Sequence, residues 1–217
     1  MIYYFVPYSL ERNIGKAYNQ YMALLPNDND WGVLMDGDTM FLTFDWGHAI
    51  EEVIKKLPDA GLITCLTNRI STGRGQFYNE DSTDIIVHRA IAKHLDKEFR
   101  GQYRRNNARV SGFLMAIQKK TWIDVGKFPE ASNKILGVDD AFSKKVLRTG
   151  KGIYIMKGMY KLHYYRMAEG RKYKDHLRDA TIHAEKKSKP FSRRRKLELG
   201  LKAKRKRNQN LIKNRRR

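Results

Sequence analysis

A chain of 217 residues with 41% hydrophobic side chains is long enough for one domain with a buried core plus an appendage, which excludes disorder of the whole chain. Its formal charge of +21 is unevenly spread: residues 186–217 hold 16 Lys and Arg against one acid, Glu198, so 28 basic and 22 acidic residues remain before them, or +6 for the body against +15 for the end. The single cysteine, Cys65, excludes an intramolecular disulfide, and no apolar run approaches the roughly 20 residues that span a bilayer, so a soluble, cytoplasmic protein is expected.

Residues 2–6, Ile-Tyr-Tyr-Phe-Val before Pro7, read as a buried first strand with a loop at its carboxyl end. Residues 13–25 place Ile14, Ala17, Tyr18, Tyr21, Met22 and Leu25 at helical spacing, and the run from Pro26 to Asp30 stops that helix. A second strand, residues 31–35, runs straight into Asp36-Gly37-Asp38, and an apolar run resumes at Met40. A helix is predicted over 49–57 and a strand over 62–66, where Cys65 reads as a core thiol. A polar loop with Gly73 and Gly75 follows over 68–81, then a helix over 85–99, a basic polar segment over 100–107 and a strand over 110–117. The remaining elements are a helix from about Lys119, a helix over 139–147, and a short strand over 153–156 with His163 soon after; Trp122 and Phe128 read as core. Alternating strands and helices predict an α/β domain over 1–183. Residues 184–217 have too few apolar side chains for a core and read as a basic, flexible tail.

Two carboxylates one glycine apart at the end of a buried strand bring both side chains near one point and let a ligand approach the backbone. That arrangement suits a hard divalent ion such as Mg²⁺ or Mn²⁺, which takes oxygen ligands and keeps positions open for phosphate. The bland reading is a polar turn between two strands, since Asp-x-Asp is a short motif.

The order of these features resembles the GT-A glycosyltransferases, especially glycosyltransferase family two. The resemblance rests on Val6-Pro7-Tyr8, Gly15-Lys16-Ala17-Tyr18-Asn19, Val33-Leu34-Met35-Asp36-Gly37-Asp38, Val125-Gly126-Lys127-Phe128, Gly137-Val138-Asp139-Asp140-Ala141-Phe142 and His163, in the family's order over most of residues 1–165. It implies a single-domain, Rossmann-like GT-A fold with a mixed central sheet, abbreviated because relatives usually carry further strand and helix units where only 28 residues lie between Pro7 and Asp36. It also implies transfer of a sugar from a UDP- or GDP-sugar to an acceptor hydroxyl of a glycan, a lipid-linked or another molecule, with Mn²⁺ or Mg²⁺ as cofactor. By the same resemblance, Pro7 and Tyr8 touch the nucleotide and the helix start from Gly15 to Asn19 lies beside the donor. Asp38 is then a metal ligand, Asp36 is shared between metal and nucleotide, and His163 completes the metal site. Arg12, Asn13 and Lys16, or the 68–81 loop, are candidates for donor recognition in place of the shortened region.

The acidic pair falls where relatives carry the catalytic base of inverting enzymes, with Asp140 favoured and Asp139 the alternative; helix capping is the ordinary role for such a pair. Likewise His163 reads either as a metal ligand or as a hydrogen-bonded residue at a strand end. Two rival functions stand beside glycosyl transfer. A nucleic-acid binder would use the basic tail, which lacks aromatics other than Phe191 to stack on bases, and the same tail suits an anionic membrane surface. A two-metal nuclease or nucleotidyltransferase would use Asp36, Asp38 and Asp139 or Asp140.

Overall fold

The computed structural model describes residues 1–70, 75–78, 80, 82–130 and 137–164. In chain order the elements are β1 (Ile2–Phe5), α1 (Ile14–Ala23), β2 (Trp31–Met35), β3 (Thr39–Phe41), α2 (Trp46–Lys56), β4 (Leu62–Thr67), α3 (Ile85–Phe99), β5 (Tyr103–Asn106), β6 (Leu114–Gln118), α4 (Lys119–Asp124), α5 (Val138–Arg148) and β7 (Ile153–His163). They form a mixed α/β domain around one seven-stranded sheet ordered β1-β2-β6-β4-β7-β3, with β5 also paired to β7. β1 with β2 and β4 with β7 are parallel, while β6 runs antiparallel between β2 and β4. The boundary expected at 183/184 and the basic tail lie outside the described residues.

The period-two alternation of the strands separates two cores. Val33, Ile63 and Ala116 face one side, under Ile50, Val53 and Ile54 of α2. Leu34, Leu62, Met115 and Ile117 face the other, under Tyr18 and Met22 of α1, Trp122 of α4, and Phe142 and Val146 of α5. Cys65 is fully buried and its thiol is pushed up to about 12 by burial, so it is a core side chain with no nucleophilic character at neutral pH.

Helix α1 is fixed at both ends of its inner face. Asn13 caps it, its side-chain oxygen accepting from the Lys16 N–H at 3.1 Å. Asn19 is buried, and its carboxamide donates to Phe128 O at 3.0 Å and to Glu130 Oε1 at 2.7 Å. Its oxygen accepts from Trp122 Nε1 at 2.9 Å and from the Phe128 N–H at 3.0 Å. Both polar atoms of the Asn19 side chain thus hold α1 to α4 and to the segment after it. Gly15 is there for close approach, because a Cβ would lie 2.0 Å from the backbone oxygen of Pro129. Gly15→Ala is therefore expected to destabilise the fold by about 1–3 kcal/mol, the usual cost of overpacking, read as a lower midpoint in thermal unfolding.

Four expectations need correction. β1 is a half-buried edge strand, because β2 is the one strand that pairs with it among the described residues. The basic segment over 100–107 contains β5, whose Tyr103, Arg104 and Arg105 are exposed; an edge strand with one wet face carries no apolar run to announce it. The strand expected over 110–117 starts at Leu114, since Val110–Phe113 form the approach to it. Lastly, β7 is not four residues but eleven. Lys157, Gly158 and Lys161 interrupt its apolar pattern, and its register against β4 jumps from Cys65↔Met156 to Leu66↔Tyr160 across a bulge.

Candidate metal centre

Strand β2 ends at Met35, and the chain turns under control of two bonds: the Asp36 N–H donates to Phe113 O at 3.1 Å, and Thr39 Oγ1 donates to Asp36 O at 2.6 Å. The turn reverses into β3, which runs antiparallel to the end of β7 with Thr39 opposite His163. The Tyr164 N–H then donates to Asp38 O at 2.8 Å and closes the pairing. Extension of β7 past Met156 is thus what carries His163 to the aspartates.

Asp36, Asp38 and His163 each offer one ligand atom, all within 4.8 Å of one another. His163 Nε2 lies 3.3 Å from Asp38 Oδ1 and 4.0 Å from Asp36 Oδ2. The imidazole is buried and oriented. Its Nδ1 is 2.7 Å from the Arg69 carbonyl, which only accepts, so Nδ1 carries a hydrogen and Nε2 is the nitrogen turned to the carboxylates. The His163 N–H donates to Asn68 Oδ1 at 2.9 Å, and the ring stacks on Phe113 at 5.6 Å between centroids.

Two carboxylates and one imidazole with a committed Nδ1 are a donor set that fits a hard or borderline divalent cation. The fit is not particular to one metal. Burial pushes the Asp36 carboxyl above its ordinary value although 39% of its side chain is open to the cleft; His163 opposes the shift, and the charges of Asp38 and Asp139 add to it. Asp38 is held below its ordinary value by its hydrogen bond to His163. Lys161, buried beside Cys65 and over the Phe41 ring at 4.5 Å, is pushed down to about 8 by burial, against the pull of Asp36 and Asp38.

Because its folded pKa is raised, an ionised Asp36 costs stability above that pKa, and the cost disappears as pH falls through it. Asp36→Asn is accordingly expected to raise the melting temperature of the metal-free protein at neutral pH, with the difference from wild type closing in acid. Equal melting temperatures at neutral pH would contradict this.

The acidic pair opens α5 after Gly137, which sits at φ +83°. Asp139 accepts from the Gly112 N–H through Oδ2 at 2.9 Å and from the Asp140 N–H through Oδ1 at 2.8 Å, so it ties α5 to the approach of β6. Asp140 takes a separate direction, its Oδ2 accepting from Arg109 Nη1 at 3.0 Å in an ion pair. The charge of Asp139 adds to the rise that burial gives the Asp36 carboxyl and the Tyr18 hydroxyl, so Asp139 lies within electrostatic reach of the aspartate cluster.

In the loop after β1, Val6 lies beside Gly37, so Pro7 and Tyr8 leave the sheet next to the aspartates, Tyr8 74% exposed. Arg12 adopts φ +52° on the surface, Asn13 serves as a helix cap, and Lys16 pairs with Glu11 at 2.9 Å. Asn68 and Arg69 open the 68–81 loop expected to serve donor recognition, where neither was singled out by itself, and here they support His163, while Phe113 and Arg109 escaped the sequence reading as site residues. Asn68 and Arg69 are polar residues directly after an apolar strand, a signal that was available; Phe113 and Arg109 carry none. Among the described residues no helix is long and apolar enough to cross a membrane. No protein-family model, curated protein or solved structure matches this chain.

Proposed function

We propose that the protein is a metal-dependent glycosyltransferase that moves a sugar from a nucleoside-diphosphate sugar to an acceptor hydroxyl, with inversion. The observation that carries this reading is the convergence of Asp36, Asp38 and His163 at the end of β2, with Val6 of the loop after β1 beside Gly37 and Asp139 within electrostatic reach of Asp36. Asp36, Asp38 and His163 would hold Mn²⁺ or Mg²⁺. When bound, the ion supplies positive charge that offsets the negative charge developing on a departing diphosphate.

The chain's own residues do the rest. Pro7 and Tyr8 flank the nucleotide, with Arg12 and Lys16 as cationic candidates on the same segment. Asp140 takes the proton of the acceptor hydroxyl as its oxygen bonds to the anomeric carbon and the bond from that carbon to the diphosphate oxygen breaks. Arg109 positions the Asp140 carboxylate, and Asp139 fixes the start of α5, a capping role for one member of the pair. Among the described residues there is one group of three metal-type ligands and neither Asp139 nor Asp140 belongs to it, which favours this reading over a two-metal nuclease.

The test is thermal unfolding of the protein with UDP, GDP and their sugars, with and without manganese, since a ligand that binds only the folded state raises its melting temperature. A shift that needs nucleotide and metal together is expected. No shift with any of them would sink the proposal and make the basic tail and its polyanion partners, nucleic acid or an anionic membrane, the leading account.

A further inference from the structure

Among the described residues the outer edge of β1 is unpaired, and it borders a groove that the proposed chemistry does not use. The Met1 C=O accepts from the Trp31 N–H at 2.9 Å, and this sets the alternation of the parallel ladder. Tyr3 and Phe5 turn their N–H and C=O groups toward β2, whereas Ile2 and Tyr4 turn theirs away from the sheet, where no described residue pairs with them. The side chains of these same two residues line a groove of about 750 Å³ between β1 and α2, shared with Trp31, Phe44, Trp46 and Ile54. Phe44 is fully exposed at 103%.

Edge strands of stable monomers are usually blunted by a charge, a proline or a bulge. Ile2–Phe5 contains none of these, and its shortness, four residues, is the one protection it has. The charges on the rim of the groove are joined within the chain, Lys55 to Glu51 at 2.8 Å, His48 to Glu51 at 3.7 Å and Asp45 to Arg100 at 2.5 Å, so the patch does not share the strong positive charge of the chain and sets no unbalanced charge against a second copy. The helix that bounds the groove is already anchored: Trp46 stacks on Phe41 at 4.1 Å and meets Tyr4 edge-on at 4.9 Å.

We propose that a second copy of this chain occupies this edge, with β1 pairing antiparallel to β1 of its mate about a twofold axis so that one sheet runs through both copies. In that arrangement the outward groups of Ile2 and Tyr4 are satisfied reciprocally, as an isologous interface requires. Both α2 helices then lie on the same face of the joined sheet and flank the seam, and the two grooves merge into one space that covers Phe44 of each copy.

The experiment is light scattering coupled to size exclusion on the full chain, over a range of concentrations and in high salt so that polyanion bound by the basic segment cannot bridge copies. Wild type is expected to show twice the chain mass. Phe44→Glu touches a side chain fully exposed in one copy, and Ile2→Pro removes an N–H that points away from β2, at the first residue of a strand where proline is tolerated. Each is expected to halve the mass while circular dichroism stays that of wild type. A monomer at every concentration, or a dimer that survives either substitution, overturns the proposal.

Discussion

Asp38→Ala is expected to lose manganese binding by on the order of 100-fold or more, because even the outer partners of a metal ligand are worth about 10–100-fold in affinity. Asp38 is the carboxylate nearest His163 Nε2, at 3.3 Å, and the one whose ionised form the site already favours. Its side chain is 49% exposed, so its removal leaves no buried orphan and the fold is expected to survive. Titration calorimetry of manganese in the presence of nucleoside diphosphate measures the loss directly. If Asp38→Ala bound the metal and nucleotide as wild type does, the cluster would be a polar turn with a hydrogen-bonded histidine, the plainer reading of both motifs.

Asp140→Asn has the second large effect, on turnover in place of binding. Loss of a general base typically slows a reaction by about 10²–10⁴-fold, and transfer is expected to fall within that range while donor affinity is unchanged. The Asp140–Arg109 pair is partly exposed on both sides, 23% and 41%, so breaking it costs stability only as a surface ion pair does, about 0–1 kcal/mol. Asp139→Asn differs in kind, because Asp139 accepts two backbone N–H groups that hold Gly112 and the start of α5. That variant is expected to melt earlier. Lost turnover in Asp139→Asn with an unchanged melting temperature, beside an active Asp140→Asn, would move the base to Asp139.

What was legible in the residues is what local pattern controls. β2 with its abrupt passage into Asp36-Gly37-Asp38, the 85–99 helix and the opposed faces of Val33 and Leu34 follow from apolar spacing that one element carries by itself. The metal cluster was legible as residue types, since Asp36, Asp38 and His163 stood out by chemistry. Their meeting was not, because it depends on β7 continuing through Lys157, Gly158 and Lys161, where tertiary partners override an unpromising sequence: Lys161 is accommodated by burial over Phe41. The same limit hid β5, which exists because β7 offers it an edge. It also hid the position of β1 at the margin of the sheet, since five apolar residues in a row read alike for a central strand and for an edge strand beside a groove. A residue that acts through its backbone, such as Gly112 behind Asp139, has no sequence signature for that role, and the polar Arg69 after an apolar strand marks a strand end without saying that its carbonyl orients His163.

The most direct test of glycosyl transfer is the product released from a panel of UDP- and GDP-sugars incubated with the full chain and manganese, since the bond that breaks identifies the reaction. The account predicts free nucleoside diphosphate, formed by cleavage at the anomeric carbon, abolished by chelation and by Asp38→Ala. Nucleoside monophosphate with sugar phosphate would mean cleavage within the diphosphate and would contradict it, as would binding of metal with no turnover of any nucleotide sugar.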